Sequence, residues 1–168
     1  MRSKLFAGAL AGLAAGVVFG VMMQMMSAPT PEGGKTPMMT MVAMVVRSKS
    51  LAIGWLYHLF NSAVIGALFA VFLGERAGRY GAGLSWGAVW GLGWWVLGAL
   101  ILMPLLLGMP AFASLQMPPM RPVAMGSLGG HLIYGLILGV VFVRLSRASG
   151  VQEAGTWSGV PNSPRRGG

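Results

Sequence analysis

The chain contains no cysteine and no aspartate, and its only three carboxylates, Glu32, Glu75 and Glu153, lie outside its long apolar runs. Without cysteine there is neither a disulfide framework nor a thiolate metal site, and cysteine usage says nothing of redox compartment. The scarcity of acids excludes carboxylate dyads, carboxylate-bound magnesium and intramembrane carboxylate proton relays. Charge of either sign is scarce: 9% of the 168 residues are charged, against roughly 25% in soluble domains. Hydrophobic residues make up 55%, mean hydropathy is +0.72 and there are 27 glycines, so the solvent of this chain is lipid.

Four stretches, Leu5–Met26, Leu51–Leu73, Leu84–Leu107 and Ala124–Leu145, reach the roughly 20 apolar residues needed to cross the hydrocarbon. None holds Asp, Glu or Lys, and the single arginine, Arg144, sits at a helix end from which it can snorkel. The opening MRSK and the apolar run behind it resemble a secretory signal, but the run is long and cleavage after Ala28 would place Pro29 first; a retained helix is expected. The net charge of +9 does not point to nucleic acid, because of where it lies. Arg2, Lys4, Arg76, Arg79, Arg144, Arg147, Arg165 and Arg166 fall at the termini and the second loop, against Lys35, Arg47, Lys49 and Arg121 in loops one and three. The excess predicts cytoplasmic termini with loops one and three outside, the basic residues touching anionic lipid heads.

A shift of 75 residues aligns Gly8, Gly12, Gly16 and Pro29 with Gly83, Gly87, Gly91 and Pro104. A shift of 73 then aligns Pro37, Met44, His58, Leu59, Gly66 and Phe69 with Pro110, Met117, His131, Leu132, Gly139 and Phe142. The expected fold class is therefore all-α: residues 1–145 form a polytopic four-helix bundle of two tandem hairpins, about 5–73 and about 84–145, related by a pseudo-twofold along the membrane normal. Thr36–Val46 is apolar but too short to span and is expected to lie in the outer interface or dip into it, and the Gly-, Ser- and Pro-rich tail, residues 146–168, is expected to be disordered.

Glycine repeats every four residues in the odd helices, at Gly8, Gly12, Gly16 and Gly20 and at Gly83, Gly87 and Gly91, giving flat faces for close backbone approach. Trp86, Trp90 and Trp94 form an adjoining ridge, read as packing or lipid-facing surface. The even helices carry the polar groups. An ionisable side chain at mid-bilayer costs roughly 2.5–3.5 kcal/mol, so the matched pair His58 and His131 needs a reason inside the protein. The repeat puts both at one depth, about seven residues or roughly 10 Å below the outer boundary. Asn61 and Ser62 share the face of His58, and Tyr134 and Gly135 hold the same offsets from His131.

One reading is structural: the imidazoles bond Asn61, Tyr134, backbone carbonyls or each other and glue the bundle. The other is axial ligation of a tetrapyrrole, haem b or bacteriochlorophyll, by His58 and His131, with Gly66, Gly135 and Gly139 making room and Arg47, Lys49 or Arg121 meeting propionates. A Ser62–His131 nucleophile lacks an orienting acid and a nucleophile elbow, so no enzyme is expected. Apart from Met1, the 14 methionines crowd toward the outer half, and Met22, Met23, Met25, Met26, Met38, Met39 and Met41 form a candidate Cu(I) set alongside the ordinary reading of methionine as apolar filler.

GWLYHLFNSAVIGALFAVF at Gly54–Phe72, WWVLGALILMPLLLGMP at Trp94–Pro110 and GHLIYGLILGVVF at Gly130–Phe142 resemble a family of small four-helix membrane proteins of bacteria and archaea with no assigned activity. The resemblance covers the chain to about Arg144 and implies shared architecture. The function expected is that of a non-enzymatic packing or accessory subunit, with the bilayer and a second copy or a larger membrane complex as partners and no nucleic acid. Redox or pigment binding and outer-face Cu(I) handling are the alternatives.

Overall fold

The computed structural model describes residues 2–29 and 33–157. Among these residues the regular structure is helical except for one short ribbon, as lipid requires of a chain that must satisfy its backbone within each span. Four segments are long and apolar enough to cross a membrane: Ser3–Met25, Leu51–Leu73, Tyr80–Leu106 and Pro118–Ala148.

Helix α1 (Arg2–Met25) stops ahead of Pro29. The chain then turns back in a ribbon, β1 (Ser27–Pro29) antiparallel to β2 (Lys35–Pro37), with Ala28 opposite Thr36. Helix α2 (Met38–Val45) follows at once, tied down by the Met38 amide donating to the Met26 carbonyl at 3.0 Å. It buries Met38, Met39 and Ala43. Loop one is thus a folded cap on the bundle; a Cβ at Gly54 of α3 (Leu51–Leu73) would run into the Met39 carbonyl. The turn out of α2 is a Schellman motif, in which Ser48 and Arg47 amides donate to the Ala43 and Met44 carbonyls. It places Arg47 at φ 58°, a left-handed position that glycine would occupy at no cost.

The third span begins as α4 (Tyr80–Trp94), continues as a π-helical stretch (Trp95–Leu102) and ends as α5 (Met103–Leu106). Pro104 supplies the reason: it has no N–H and its ring crowds the carbonyl one turn back, which the wider winding relieves. The released Leu100 carbonyl accepts the Phe112 amide at 2.6 Å, which pins loop three to the span. Gly108, at φ 78°, closes α5 with the same Schellman geometry that Arg47 closes α2, its amide and that of Met109 donating to Leu105 and Pro104. A single turn, α6 (Ala113–Gln116), and a 3-10 turn (Pro118–Met120) lead into α7 (Arg121–Trp157). The expected end of the last helix, Leu145, is passed: helix continues to Trp157, and the rest of the tail expected to be disordered, 158–168, lies outside the described residues.

In cross-section the order is α3, α1, α7, α4, because α1 packs along both α3 and α7, and α4 along α7. Two adjacent rows on α1 make this possible. Gly8, Gly12, Gly16 and Gly20 meet α3, at Gly66, Ser62 and Trp55. Beside them Ala7, Ala11 and Ala15 are buried and lead to Phe19, which meets α7 at Gly130, His131 and Tyr134. The second hairpin uses the aligned residues in the same way, with Gly83 on Gly139, Gly87 on Gly135 and Gly91 on the His131 carbonyl. A strict twofold would also make α3 approach α4 as α1 approaches α7. Instead Phe69 and Phe72 reach Trp90 with ring centroids 6.0 and 6.3 Å apart, so that pair meets through aromatic side chains.

Candidate functional site

Three polar side chains of the spans, His58, His131 and Tyr134, gather around Phe19. Its ring packs against the His58 imidazole at 5.7 Å and the His131 imidazole at 4.7 Å between centroids, edge-on to both. One phenyl ring thus touches both imidazoles inside the bundle. Gly130 gives the space: a Cβ there would collide with the Phe19 ring.

The two histidines are held differently. His58, 8% exposed, donates from Nε2 to the Gly16 carbonyl of α1 at 2.8 Å, a bond that requires the proton on Nε2. His131 donates from Nδ1 to the Ser127 carbonyl one turn back at 2.8 Å, with the Ser127 hydroxyl 3.3 Å from the same nitrogen. Its Nε2 therefore keeps a lone pair while that of His58 does not. Ser62, buried on the face of His58, donates to the His58 carbonyl at 2.8 Å. Tyr134, 3% exposed, donates to the Ser62 carbonyl at 2.9 Å. These bonds link α1, α3 and α7, and each interhelical acceptor among them is a backbone carbonyl. Asn61 shares the helical face but is only half-buried and stands apart from this network.

This arrangement does not fit a bis-histidine tetrapyrrole. Both ligands would have to present Nε2 lone pairs across a flat ring, whereas Phe19 lies against both imidazoles and His58 has committed its Nε2 proton. The glycines expected to make room are filled by neighbouring backbone: Gly66 by Gly8 and Gly12, Gly135 by Gly87, Gly139 by Gly83. They are points of helix contact, because a residue without a Cβ in a bundle lets another backbone in before it leaves a cavity. Ser62 and His131 are not hydrogen-bonded to each other either: the Ser62 hydroxyl donates to the His58 carbonyl and His131 Nδ1 to the Ser127 carbonyl. Among the described residues no three of His, Cys, Asp and Glu gather into a metal-binding group.

The methionines separate. Met23, Met38 and Met39 are buried, Met22 and Met26 pack against the core, and Met25 is 83% exposed. Met38 and Met41 turn toward methionines of the other hairpin: with Met103, Met109 and Met120 they line a cavity of about 40 Å³ between α2, the end of the third span and loop three. The sequence marks Met103, Met109 and Met120 as methionines of the same end; it carries no signal that they meet Met38 and Met41, because that depends on α2 folding back. Phe19 and Ser127 were also beyond reach from polarity or matched spacing, although the row Ala7, Ala11, Ala15, Phe19 is visible as a period of four. In comparisons with protein-family models, curated proteins and solved structures, the chain matches none.

Proposed function

We propose that the chain is a non-enzymatic integral membrane protein, a bundle of two like hairpins, which serves as a packing or accessory subunit of a membrane assembly. The observation that carries this reading is where the buried polar groups go. His58, Tyr134 and Ser62 spend their hydrogen bonds on carbonyls within the bundle, two of them across helices, so they fasten helices together. Meanwhile the outward rows are large and apolar, with Phe6, Leu10, Val17 and Val21 on α1 and Leu56, Phe60 and Val64 on α3 all exposed. Such rows present surface to lipid or to another helix and no chemistry to a substrate.

The matched glycine contacts of the two hairpins support descent from one duplicated hairpin, since the same aligned residues make the same backbone approach twice. The basic bias toward the termini and second loop supports an inner-membrane location with cytoplasmic termini. The test is association at native expression levels: mass measurement after extraction into lipid nanodiscs should give a homo-oligomer or a stoichiometric complex, and leucine-to-tryptophan changes at Leu56 and Leu10 should shift it. A lone protomer under all extraction conditions would contradict the reading. For orientation, the cysteine-free chain takes single cysteines cleanly, and labelling of Arg76→Cys from outside intact cells would reverse the assignment.

A further inference from the structure

We propose that the cavity at the loop-one end is a thioether site for a soft monovalent metal ion, Cu(I). Five methionines from both hairpins line it: Met38 and Met41 of α2, Met103 of α5, and Met109 and Met120 of loop three. No charged side chain lines it, so a hard cation such as Mg²⁺ or Ca²⁺ has no oxygen ligands of the kind it needs, whereas uncharged thioethers suit Cu(I).

Methionine as filler predicts something else. A flexible unbranched side chain in a core closes the space around it. Here five of them surround about 40 Å³, which exceeds the roughly 10–15 Å³ that admits one water. The Ser114 hydroxyl lines the same cavity and is buried without a hydrogen-bond partner. The position is also favourable for an ion. The lining comes from α2, the end of the third span, loop three and the first turns of α7, so the charge need not sit at mid-bilayer, where it would be most costly. Ser127 lines the cavity as well and contacts His131 Nδ1, which places the imidazole whose Nε2 keeps its lone pair one residue behind the thioethers.

This inference is independent of the accessory-subunit reading, and a metal site could fail while that reading stands. The experiment uses the full chain in detergent under anaerobic reduction, with Cu(I) partitioned between the protein and a chromophoric Cu(I) chelator. Ag(I), of like charge and softness but inert to oxidation, serves as a second probe. Wild type should take up one equivalent of each. Met38→Leu with Met41→Leu, and separately Met103→Leu with Met109→Leu and Met120→Leu, should weaken binding at least 100-fold. Met22→Leu with Met25→Leu, outside the cavity, should stay within threefold. Leucine nearly conserves methionine volume, so these variants should fold, and their unfolding transitions check it.

X-ray absorption of loaded wild type gives a readout that no folding failure can mimic. A first shell of sulfur only supports the site, because in a chain without cysteine methionine thioethers are the only sulfur ligands. No stoichiometric uptake, a nitrogen- or oxygen-dominated shell, or folded cavity variants that bind like wild type would overturn it.

Discussion

Replacing one hydrogen by a methyl group should have opposite effects at Gly66 and Gly93. A Cβ at Gly66 would collide with the Gly8 carbonyl oxygen and lie 2.7 Å from the Gly12 Cα and 2.9 Å from its nitrogen. All three neighbours are backbone, so no rotamer can give way. Carbon atoms in contact rest about 3.5–4.0 Å apart, so α1 and α3 must separate by about 1 Å along the closest part of their interface. Overpacking of this kind costs roughly 1–3 kcal/mol, set against the ~1 kcal/mol by which alanine exceeds glycine in helix propensity. Because all three neighbours are unyielding backbone, the upper part of that range, about 2–3 kcal/mol, applies, and Gly66→Ala should lose about 1–2 kcal/mol net. Gly93 sits in α4 with nothing within 4 Å of the same added atom. Gly93→Ala should be neutral or gain up to about 1 kcal/mol. Reversible unfolding in mixed micelles by SDS titration, followed by circular dichroism, measures the difference. The aligned change Gly139→Ala, facing the Gly83 carbonyl group at 2.6 Å from its carbon, should follow Gly66→Ala. If Gly66→Ala and Gly93→Ala agree to within about 0.5 kcal/mol, the ordinary spread of surface substitutions, the glycine-contact reasoning is wrong.

Tyr134→Phe removes only the hydroxyl that joins α7 to the Ser62 carbonyl and should cost about 0.5–2 kcal/mol in the same titration, the range for hydrogen bonds between membrane helices. Arg47→Gly relieves a left-handed backbone at the end of α2 and should stabilise by about 1 kcal/mol, whereas Gly108→Ala, at the equivalent turn of α5, should destabilise by a similar amount. Gently purified protein at full yield should show no Soret or bacteriochlorophyll band, and a band lost on changing either His58 or His131 would refute the assignment of these side chains to helix fastening.

The four spans were legible because lipid leaves one strong signal, twenty apolar residues without acid, and the observed bounds differ from the expected ones mainly at the frayed or capped ends. The two histidines were legible as a matched pair from the aligned spacing. What they do was not. A histidine next to Asn61 and Ser62 in sequence reads as part of a local cluster, yet His58 reaches Gly16 on another helix, and a backbone acceptor leaves no mark in side-chain identity. The glycines misled for a related reason. Absence of a Cβ permits either a cavity or a neighbouring backbone, and the sequence does not say which partner arrives; Gly66, Gly135 and Gly139 each receive a helix. The ribbon at Ser27–Pro29 and Lys35–Pro37 was missed because three-residue strands flanked by proline carry almost no periodic pattern. The π-helical winding was signalled only by Pro104, which marks a disturbance without specifying its form.

The central claim is that His58 and His131 both pack against the Phe19 ring inside the bundle. Selective labelling of histidine and phenylalanine in nanodisc-embedded protein allows nuclear Overhauser contacts from the Phe19 ring to be read directly. Cross-peaks from Phe19 to both imidazoles, lost together in Phe19→Leu, are the result expected from centroid separations of 5.7 and 4.7 Å. Contacts to one imidazole alone, with the other reporting only lipid protons, would contradict it.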